Sequence, residues 1–128
     1  MGKTMKTVAL SVRKTILLVD DEDSLLVFLK MLLLDKSYNV ITASNGKQAV
    51  ETYKANTSRI DLVLMDISMP IMNGIEAANE IYHYNPNVAI LLMSGFLQDS
   101  IDGLDSFHFI KKPVKPLELL QTIKVALK

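Results

Sequence analysis

The chain has 128 residues, of which 49% are hydrophobic, so its length suits one domain and its composition supplies enough apolar side chains for a core. The 14 Lys and Arg residues are balanced by 14 Asp and Glu residues, which argues against a nucleic-acid-binding domain, because such domains usually carry a basic excess. The absence of cysteine excludes disulfides, thiolate zinc sites and cysteine nucleophiles.

The first 13 residues, MGKTMKTVALSVR, are mildly basic, and their apolar patch is too short and interrupted for the core of a signal peptide. We interpret residues 1–13 as a leader or an added extension, and residues 14–128 as the folded domain. The apolar runs elsewhere stay far below the roughly 18 residues that cross a bilayer. We therefore expect a cytoplasmic protein that contacts neither membranes nor nucleic acid directly.

Five short apolar runs alternate with longer amphipathic segments along the chain. These runs predict β-strands at Thr15–Asp20, Tyr38–Ala43, Asp61–Asp66, Val88–Ser94 and Phe107–Ile110. The first, third and fourth runs are almost continuously apolar, which is typical of parallel strands buried on both faces.

The segments between the strands predict helices. In the first helix, which we expect Asp23 or Ser24 to cap, one buried face is indicated by Leu25, Leu26, Leu29, Leu32 and Leu33. Asn-Gly pairs precede two further helices, Lys47 to Ala55 and Ile75 to Tyr84. Pro116 opens the last helix, whose apolar residues are Leu117, Leu120, Ile123 and Leu127.

Alternating strands and helices of these lengths predict an α/β fold, a doubly wound parallel sheet with helices on both faces. In such open sheets, ligands bind beyond the carboxyl ends of the strands. Polar side chains follow four of the five strands at that edge: Asp20 and Asp21, Asp66, Ser94, and Lys112. We therefore expect the chemistry of the protein at the carboxyl edge of the sheet.

The blocks ILLVDDED, LVLMDISMPIMNG, LLMSG and FIKKPVKP follow one another along the chain. In this order they resemble the signature blocks of the receiver domain of two-component response regulators, over roughly Lys14 to Lys128. The resemblance implies a flavodoxin-like (βα)5 sandwich with strand order 2-1-3-4-5. It also implies roles for single residues: Asp66 as phosphoryl acceptor, Asp20 and Asp21 as the metal-binding pair, Ser94 as switch hydroxyl, Phe109 as switch aromatic, and Lys112 as the lysine before the proline.

Carboxylates crowded at one edge repel one another, so they need protons or a cation. Mg2+, or Mn2+ in its place, suits oxygen ligands, and we expect Asp21 and Asp66 to bind it directly and Asp20 through water. The backbone carbonyl of Ser68 is a further candidate ligand. Lys112 would neutralise the transferred phosphate, and the Ser94 hydroxyl could donate to it after moving toward Asp66.

The expected function is that of a phosphorelay receiver, which takes a phosphoryl group from a sensor histidine kinase or a histidine phosphotransfer protein and is not a turnover enzyme. One alternative is a phosphate sink or relay without conformational output. A flavodoxin-like cofactor binder is disfavoured because the Asp-Asp-Glu-Asp loop would repel a phosphate. An aspartate-nucleophile phosphohydrolase is also disfavoured, because such enzymes carry a second aspartate two positions later, where this chain has Ser68.

The sequence also departs from the family pattern before its last strand. Only 112 − 94 = 18 residues separate Ser94 from Lys112, so we expect the fourth helix, near Gln98 to Leu104, to be short or irregular. Phe107 and His108 replace the small residues usually found before the switch aromatic. The usual dimer surface of fourth helix, fifth strand and fifth helix is thus in doubt, and we expect a monomer or weak dimer. The motifs are most similar in style to receivers of hybrid sensor kinases.

Overall fold

The computed structural model describes residues 13–95 and 106–128. Its strands are β1 (Thr15–Val19), β2 (Asn39–Ala43), β3 (Leu62–Asp66), β4 (Ala89–Ser94) and β5 (His108–Lys111). The helices of these residues are α1 (Asp23–Asp35), α2 (Gly46–Ala55), α3 (Gly74–Tyr84) and α4 (Pro116–Ala126). The strands form one parallel sheet in the order β2-β1-β3-β4-β5, which confirms the predicted flavodoxin-like architecture.

The strand register brings the predicted site residues to one edge. Val19 lies beside Met65, Asp66 beside Met93, and Ser94 beside Lys111. The residues that end these strands or directly follow them therefore meet at the carboxyl edge of the sheet, as the parallel arrangement requires.

Two apolar layers pack against the sheet, one on each face. Helices α2 and α3 cover the face that carries Leu17, Val63 and Leu92. Helices α1 and α4 cover the other face, with Leu64 and Met93 at its centre. Because every residue of β1 and β3 is buried, these strands need apolar side chains on both faces, which explains their continuously apolar sequences.

The helix starts follow local hydrogen bonding. Asn45 and Asn73 cap α2 and α3, each accepting a hydrogen bond from the backbone N–H three residues later. For α1 the expected cap was wrong. Glu22 occupies the N-cap position and Asp23 is already helical, because Asp20 Oδ1 accepts the Glu22 N–H at 2.9 Å and so fixes the preceding turn.

One of the four apolar residues named for the last helix does not face the sheet. Leu119 and Ile123 are buried, whereas Leu117 is 76% exposed. Leu117 lies two residues from Leu119 and therefore about 200° away around the helix, so both cannot face the sheet. The burial predicted for α1 is confirmed, with Leu29 and Leu33 fully buried and the other three leucines partly buried.

The last strand begins one residue later than expected. The Phe107 side chain is buried, and its ring packs edge-on against the Tyr82 ring at 6.0 Å between centroids, but its backbone precedes the β5 ladder. The predicted fourth helix near Gln98 to Leu104, like residues 1–12 of the predicted leader, lies outside the described residues. None of the helices in the described ranges combines the length and apolar character needed to cross a membrane.

Candidate functional site

Asp20 is the most deeply buried acid at the carboxyl edge. It follows β1 directly and has no exposed surface. Its Oδ1 accepts the Glu22 backbone N–H, and its Oδ2 lies 3.0 Å from Lys112 Nζ. A buried charge is tolerated only when it is paired and hydrogen-bonded, and both oxygens of Asp20 meet this condition.

Asp66 ends β3 and is also nearly buried, with 7% of its side chain exposed. Its Oδ1 lies 3.2 Å from the same Lys112 Nζ, and the Ser68 backbone N–H donates a hydrogen bond to its carboxylate. Asp66 therefore differs from Asp20, which is wholly buried: it is held in place by these bonds, and a small part of it reaches the surface.

Lys112 joins the two buried carboxylates. Its backbone N–H donates to the Ser94 carbonyl at 2.8 Å, which extends the β4–β5 pairing by one step and aims the side chain along the edge. The peptide bond to Pro113 is cis. The neighbouring Lys111 is exposed, as expected for a solvated lysine.

The third acid, Asp21, is exposed, but it lies within reach of the two buried acids. One carboxylate oxygen from each of Asp20, Asp21 and Asp66 can be chosen so that all three lie within 4.8 Å of one another. Three carboxylates beside one ammonium leave an excess of negative charge. Hard oxygen donors at this spacing fit a divalent cation such as Mg2+, which is bound by few carboxylates and keeps several waters.

The pKa directions agree with this charge imbalance. Burial raises the pKa of the Asp66 carboxyl and the charge of Asp20 raises it further, although Lys112 and the Ser68 N–H oppose the rise. Burial alone would lower the pKa of Lys112, but its bonds to Asp20 and Asp66 outweigh burial and raise it. The lysine is thus held charged, while Asp66 is a carboxylate whose negative charge is poorly compensated.

Ser94 and Phe109 lie next to this cluster, on one face of the sheet. Ser94 is buried at the end of β4, and strand alternation places it on the same face as Leu92. Phe109 of β5 lies directly opposite Leu92 and is half-buried against the same apolar layer. The two residues are therefore near neighbours on adjacent strands.

The loop between β3 and α3 closes tightly on Asp66. The Gly74 N–H donates to the Ile67 carbonyl at 2.8 Å, and a Cβ at position 74 would collide with the Asp66 backbone carbonyl. Glycine is therefore required where α3 starts, because any side chain would push the helix away from the acceptor strand.

Ile71, at the tip of this loop, has a φ of 72°. The Met72 N–H donates to the Pro70 carbonyl at 2.8 Å, so Ile71 is the centre of a γ-turn of the rare type with positive φ. The sequence analysis missed this feature, because β-branched residues seldom adopt left-handed conformations.

The structure thus brings Asp20, Asp21, Asp66 and Lys112 into one cluster and places Ser94 beside it through the backbone bond to Lys112. Sequence patterns identified these residue types but not the contacts between them. The hydrogen bonds from the Glu22 and Ser68 backbones carry no side-chain signal, and only the turn geometry could have revealed them.

Comparison with known proteins gives a consistent result. The family model of the response regulator receiver domain matches residues 16–124. The chemotaxis protein CheY of Bacillus subtilis is 38% identical over 117 residues, which cover 88% of this chain and 96% of that protein. A chain in the crystal structure of the CheX–CheY–BeF3–Mg2+ complex from Borrelia burgdorferi superimposes with a TM-score of 0.85 at 29% identity, covering 90% of each chain.

The chain also resembles part of a much longer protein. The autoinducer 1 sensor kinase/phosphatase LuxN of Vibrio harveyi is 41% identical over 81 residues. The match covers 63% of this chain and only 9% of LuxN, so this chain corresponds to a small part of that kinase.

Proposed function

The chain belongs to the response regulator receiver domain family, and we propose that it accepts a phosphoryl group on Asp66 from a sensor histidine kinase or a histidine phosphotransfer protein. The observation that carries this proposal is the contact of one lysine, Lys112, with both Asp20 and Asp66 at the accessible edge of the sheet. Receivers of this family are generally regulatory proteins and not turnover enzymes.

Asp66 supplies the nucleophile. An oxygen of its carboxylate attacks the phosphorus of a phosphohistidine, an O–P bond forms, and the P–N bond breaks with its electron pair going to the imidazole of the donor. Burial and the neighbouring Asp20 raise the pKa of Asp66, so its oxygen is more basic than that of an ordinary carboxylate. The phosphoryl group adds further negative charge at this buried position, so the transfer depends on cations that offset it.

Lys112 balances charge during the transfer. Its ammonium lies 3.2 Å from the Asp66 oxygen, so it is within reach of a phosphoryl group carried there. Phosphoryl transfer depends mainly on positioning and on stabilising charge, with little covalent chemistry for the protein to perform. Asp20 accepts a hydrogen bond from Lys112 at 3.0 Å and so positions the ammonium between the two carboxylates.

Receiver domains bind Mg2+ at an acidic pocket, and the three carboxylates fit such an ion. We assign Asp21 and Asp66 as direct ligands, Asp20 as a ligand through water, and the Ser68 carbonyl as a further candidate; Mn2+ would fit the same oxygen donors. When bound, the ion would neutralise charge on the phosphoryl oxygens. The three carboxylates and the Ser68 carbonyl would hold the ion at the carboxyl edge of the sheet.

Ser94 and Phe109 would transmit the phosphorylated state. A phosphoryl group on Asp66 adds acceptor oxygens near the end of β4, toward which the Ser94 hydroxyl can turn. Because Phe109 lies opposite Leu92 on the same face as Ser94, a shift of Ser94 changes the space available to the aromatic ring. The output would then be a repacking on the face covered by α2 and α3.

Acetyl phosphate with Mg2+ tests the acceptor, because it needs no partner protein. Intact mass spectrometry should show one added phosphoryl group per chain, which then decays slowly. Asp66→Asn should abolish the addition. Asp61→Asn, a matched change at the other edge of the sheet, should leave it unaffected. Labelling of Asp66→Asn at the wild-type rate, or release of many phosphates per chain, would exclude the proposed role.

A second experiment tests the switch. Backbone hydrogen exchange with and without beryllofluoride and Mg2+ should change in β4 and β5, around Ser94 and Phe109. Ser94→Ala should reduce the change in β5 even at beryllofluoride concentrations that saturate Asp66. A change confined to the loop after Asp66 would instead indicate a phosphate sink or relay without conformational output.

A further inference from the structure

Ile71 combines exposure with an unfavourable backbone conformation. Its side chain is 78% exposed, so it gains little from packing. At a φ of 72° a β-branched residue is a steric outlier, because its Cβ crowds the backbone. Such outliers persist where the surrounding structure imposes them, and they concentrate at functional sites.

The fold does not require isoleucine at this position. The loop is closed by the bond from Gly74 N–H to the Ile67 carbonyl and tied to α2 by the bond from Gly46 N–H to the Met72 carbonyl at 3.1 Å. Met72 is partly buried against the core and anchors the turn from the other side. Glycine or asparagine would suit the conformation of residue 71 better, so folding alone does not explain an exposed isoleucine there.

Ile71 also belongs to the loop that directly follows the proposed phosphoryl acceptor, Asp66. Its loop starts at Asp66 and returns to Asp66 at Gly74. Next to the side chain is a shallow depression of about 300 Å³ lined by polar and charged residues, namely Ser44, Asn45, Lys47, Gln48 and Glu51. An apolar side chain within a polar rim is the arrangement found at the energetic centres of protein interfaces.

We propose that Ile71 is the apolar anchor by which this chain recognises its protein phosphodonor, with the first turn of α2 as the polar rim. The inference rests on the proposed function, since a protein that delivers a phosphoryl group to Asp66 must cover the surface around it. The donor should present an apolar socket beside its phosphohistidine. The rigid turn holds the anchor in its bound position, which lowers the entropic cost of association.

If Ile71 has this role, its removal should slow phosphoryl transfer from a protein donor and leave transfer from a small-molecule donor unchanged. Ile71 is not one of the groups that contact the Asp66 carboxylate, so it should contribute nothing to transfer from phosphoimidazole, which carries the same P–N bond without a protein surface. With a protein donor, loss of the anchor should slow transfer by about tenfold or more, as for truncation of a central interface residue.

The experiment compares three variants with two donors. Ile71→Gly and Ile71→Ala remove the anchor, and Val125→Ala is the control, since Val125 is 59% exposed near the end of α4, at the opposite edge of the sheet. The donors are phosphoimidazole and the phosphorylated histidine phosphotransfer domain that labels the wild-type chain fastest among a purified panel. Thermal unfolding of each variant is measured in parallel.

We expect both Ile71 variants to lose kcat/KM with the protein donor only, and Val125→Ala to behave as wild type. Ile71→Gly should also unfold at an equal or higher temperature than wild type, because strain is relieved, so its slower transfer cannot be blamed on misfolding. Three results would each overturn the inference. The Ile71 variants could be slowed equally with both donors, or they could not be slowed with the protein donor. Alternatively, phosphoimidazole could label the wild-type chain while no phosphotransfer domain of the panel does. Failure of phosphoimidazole to label the wild-type chain would instead refute the proposed function.

Discussion

An aspartate lies at each end of β3: Asp61 directly precedes the strand and Asp66 is its last residue. The hydrogen bonds and charges around the two carboxylates differ. At the amino edge, Asp61 Oδ2 accepts the Thr15 N–H at 2.8 Å, and the Asp61 N–H donates to the Thr15 carbonyl at 2.9 Å. This acid exchanges hydrogen bonds with one neighbouring residue, and its carboxylate is outside the acidic cluster of the described residues.

At the carboxyl edge, the carboxylates outnumber the positively charged groups that contact them. Asp66 and Asp20 share the single ammonium of Lys112, and Asp21 adds a third carboxylate to the group. An acid that accepts a hydrogen bond from a backbone N–H at the start of a strand stabilises the fold. Acids that outnumber their positively charged partners are instead suited to bind a cation. On this contrast we assign Asp61 to the stability of the fold and propose Asp66 as the phosphoryl acceptor.

The largest effect should come from removing the shared cation. Lys112→Met should slow labelling by acetyl phosphate by about 100-fold or more, because it deletes a preorganised charge at the transferred group. Lys111→Met, one residue earlier and exposed, serves as the control and should label normally. The rates are read from intact mass spectra at fixed Mg2+. Equal rates for the two variants would remove Lys112 from the site.

The next effect concerns the cation that the excess acids imply. Asp21→Asn should weaken Mg2+ binding by about tenfold or more, since it removes a direct oxygen ligand. Asp23→Asn is the matched control, because Asp23 is exposed in the first turn of α1 and outside the cluster. Calorimetric titration with Mg2+ measures both. If Asp23→Asn weakens binding as much as Asp21→Asn, the metal site lies elsewhere.

A smaller effect, on the stability of the fold, is expected from Asp61 at the amino edge, which lies outside the acidic cluster. Asp61→Ala should lower the free energy of unfolding by about 1–3 kcal/mol, because the Thr15 N–H loses a charged acceptor. Urea unfolding monitored by circular dichroism measures the change, and phosphorylation of the folded variant should match wild type. A phosphorylation defect at full folding would show that the two edges are not independent.

The smallest expected effect is on the thermal unfolding midpoint, which Asp66→Asn and Asp61→Asn should shift in opposite directions. In EDTA, Asp66→Asn should raise the unfolding midpoint by roughly a few degrees. Burial and Asp20 raise the pKa of Asp66, so folding disfavours its charged form and gains when the charge is deleted. Asp61→Asn should lower the midpoint instead. Added Mg2+ should stabilise wild type more than Asp66→Asn, because the variant lacks a ligand. Equal stabilisation of the two proteins would argue against Asp66 as a ligand.

The sequence predicted the sheet because the apolar runs reflect burial on both faces, and it located Asp20, Asp66 and Lys112 because they end strands or directly follow them. It did not distinguish the exposed Leu117 from the buried Leu119, since leucines at several helical spacings do not define which face meets the sheet. It also missed the turn at Ile71, whose positive φ is imposed by hydrogen bonds from neighbouring loops and not by its own side chain. Local patterns report burial and strand ends, while contacts between distant loops emerge only from tertiary packing.

Direct mapping of the phosphorylated side chain tests the central claim, that the crowded carboxyl edge carries the acceptor. After labelling with acetyl phosphate and Mg2+, borohydride reduces an aspartyl phosphate to homoserine, and peptide mass spectrometry locates the converted residue. We predict homoserine at position 66 and unchanged aspartate at position 61. Conversion at Asp61, or at any acid other than Asp66, would contradict the account.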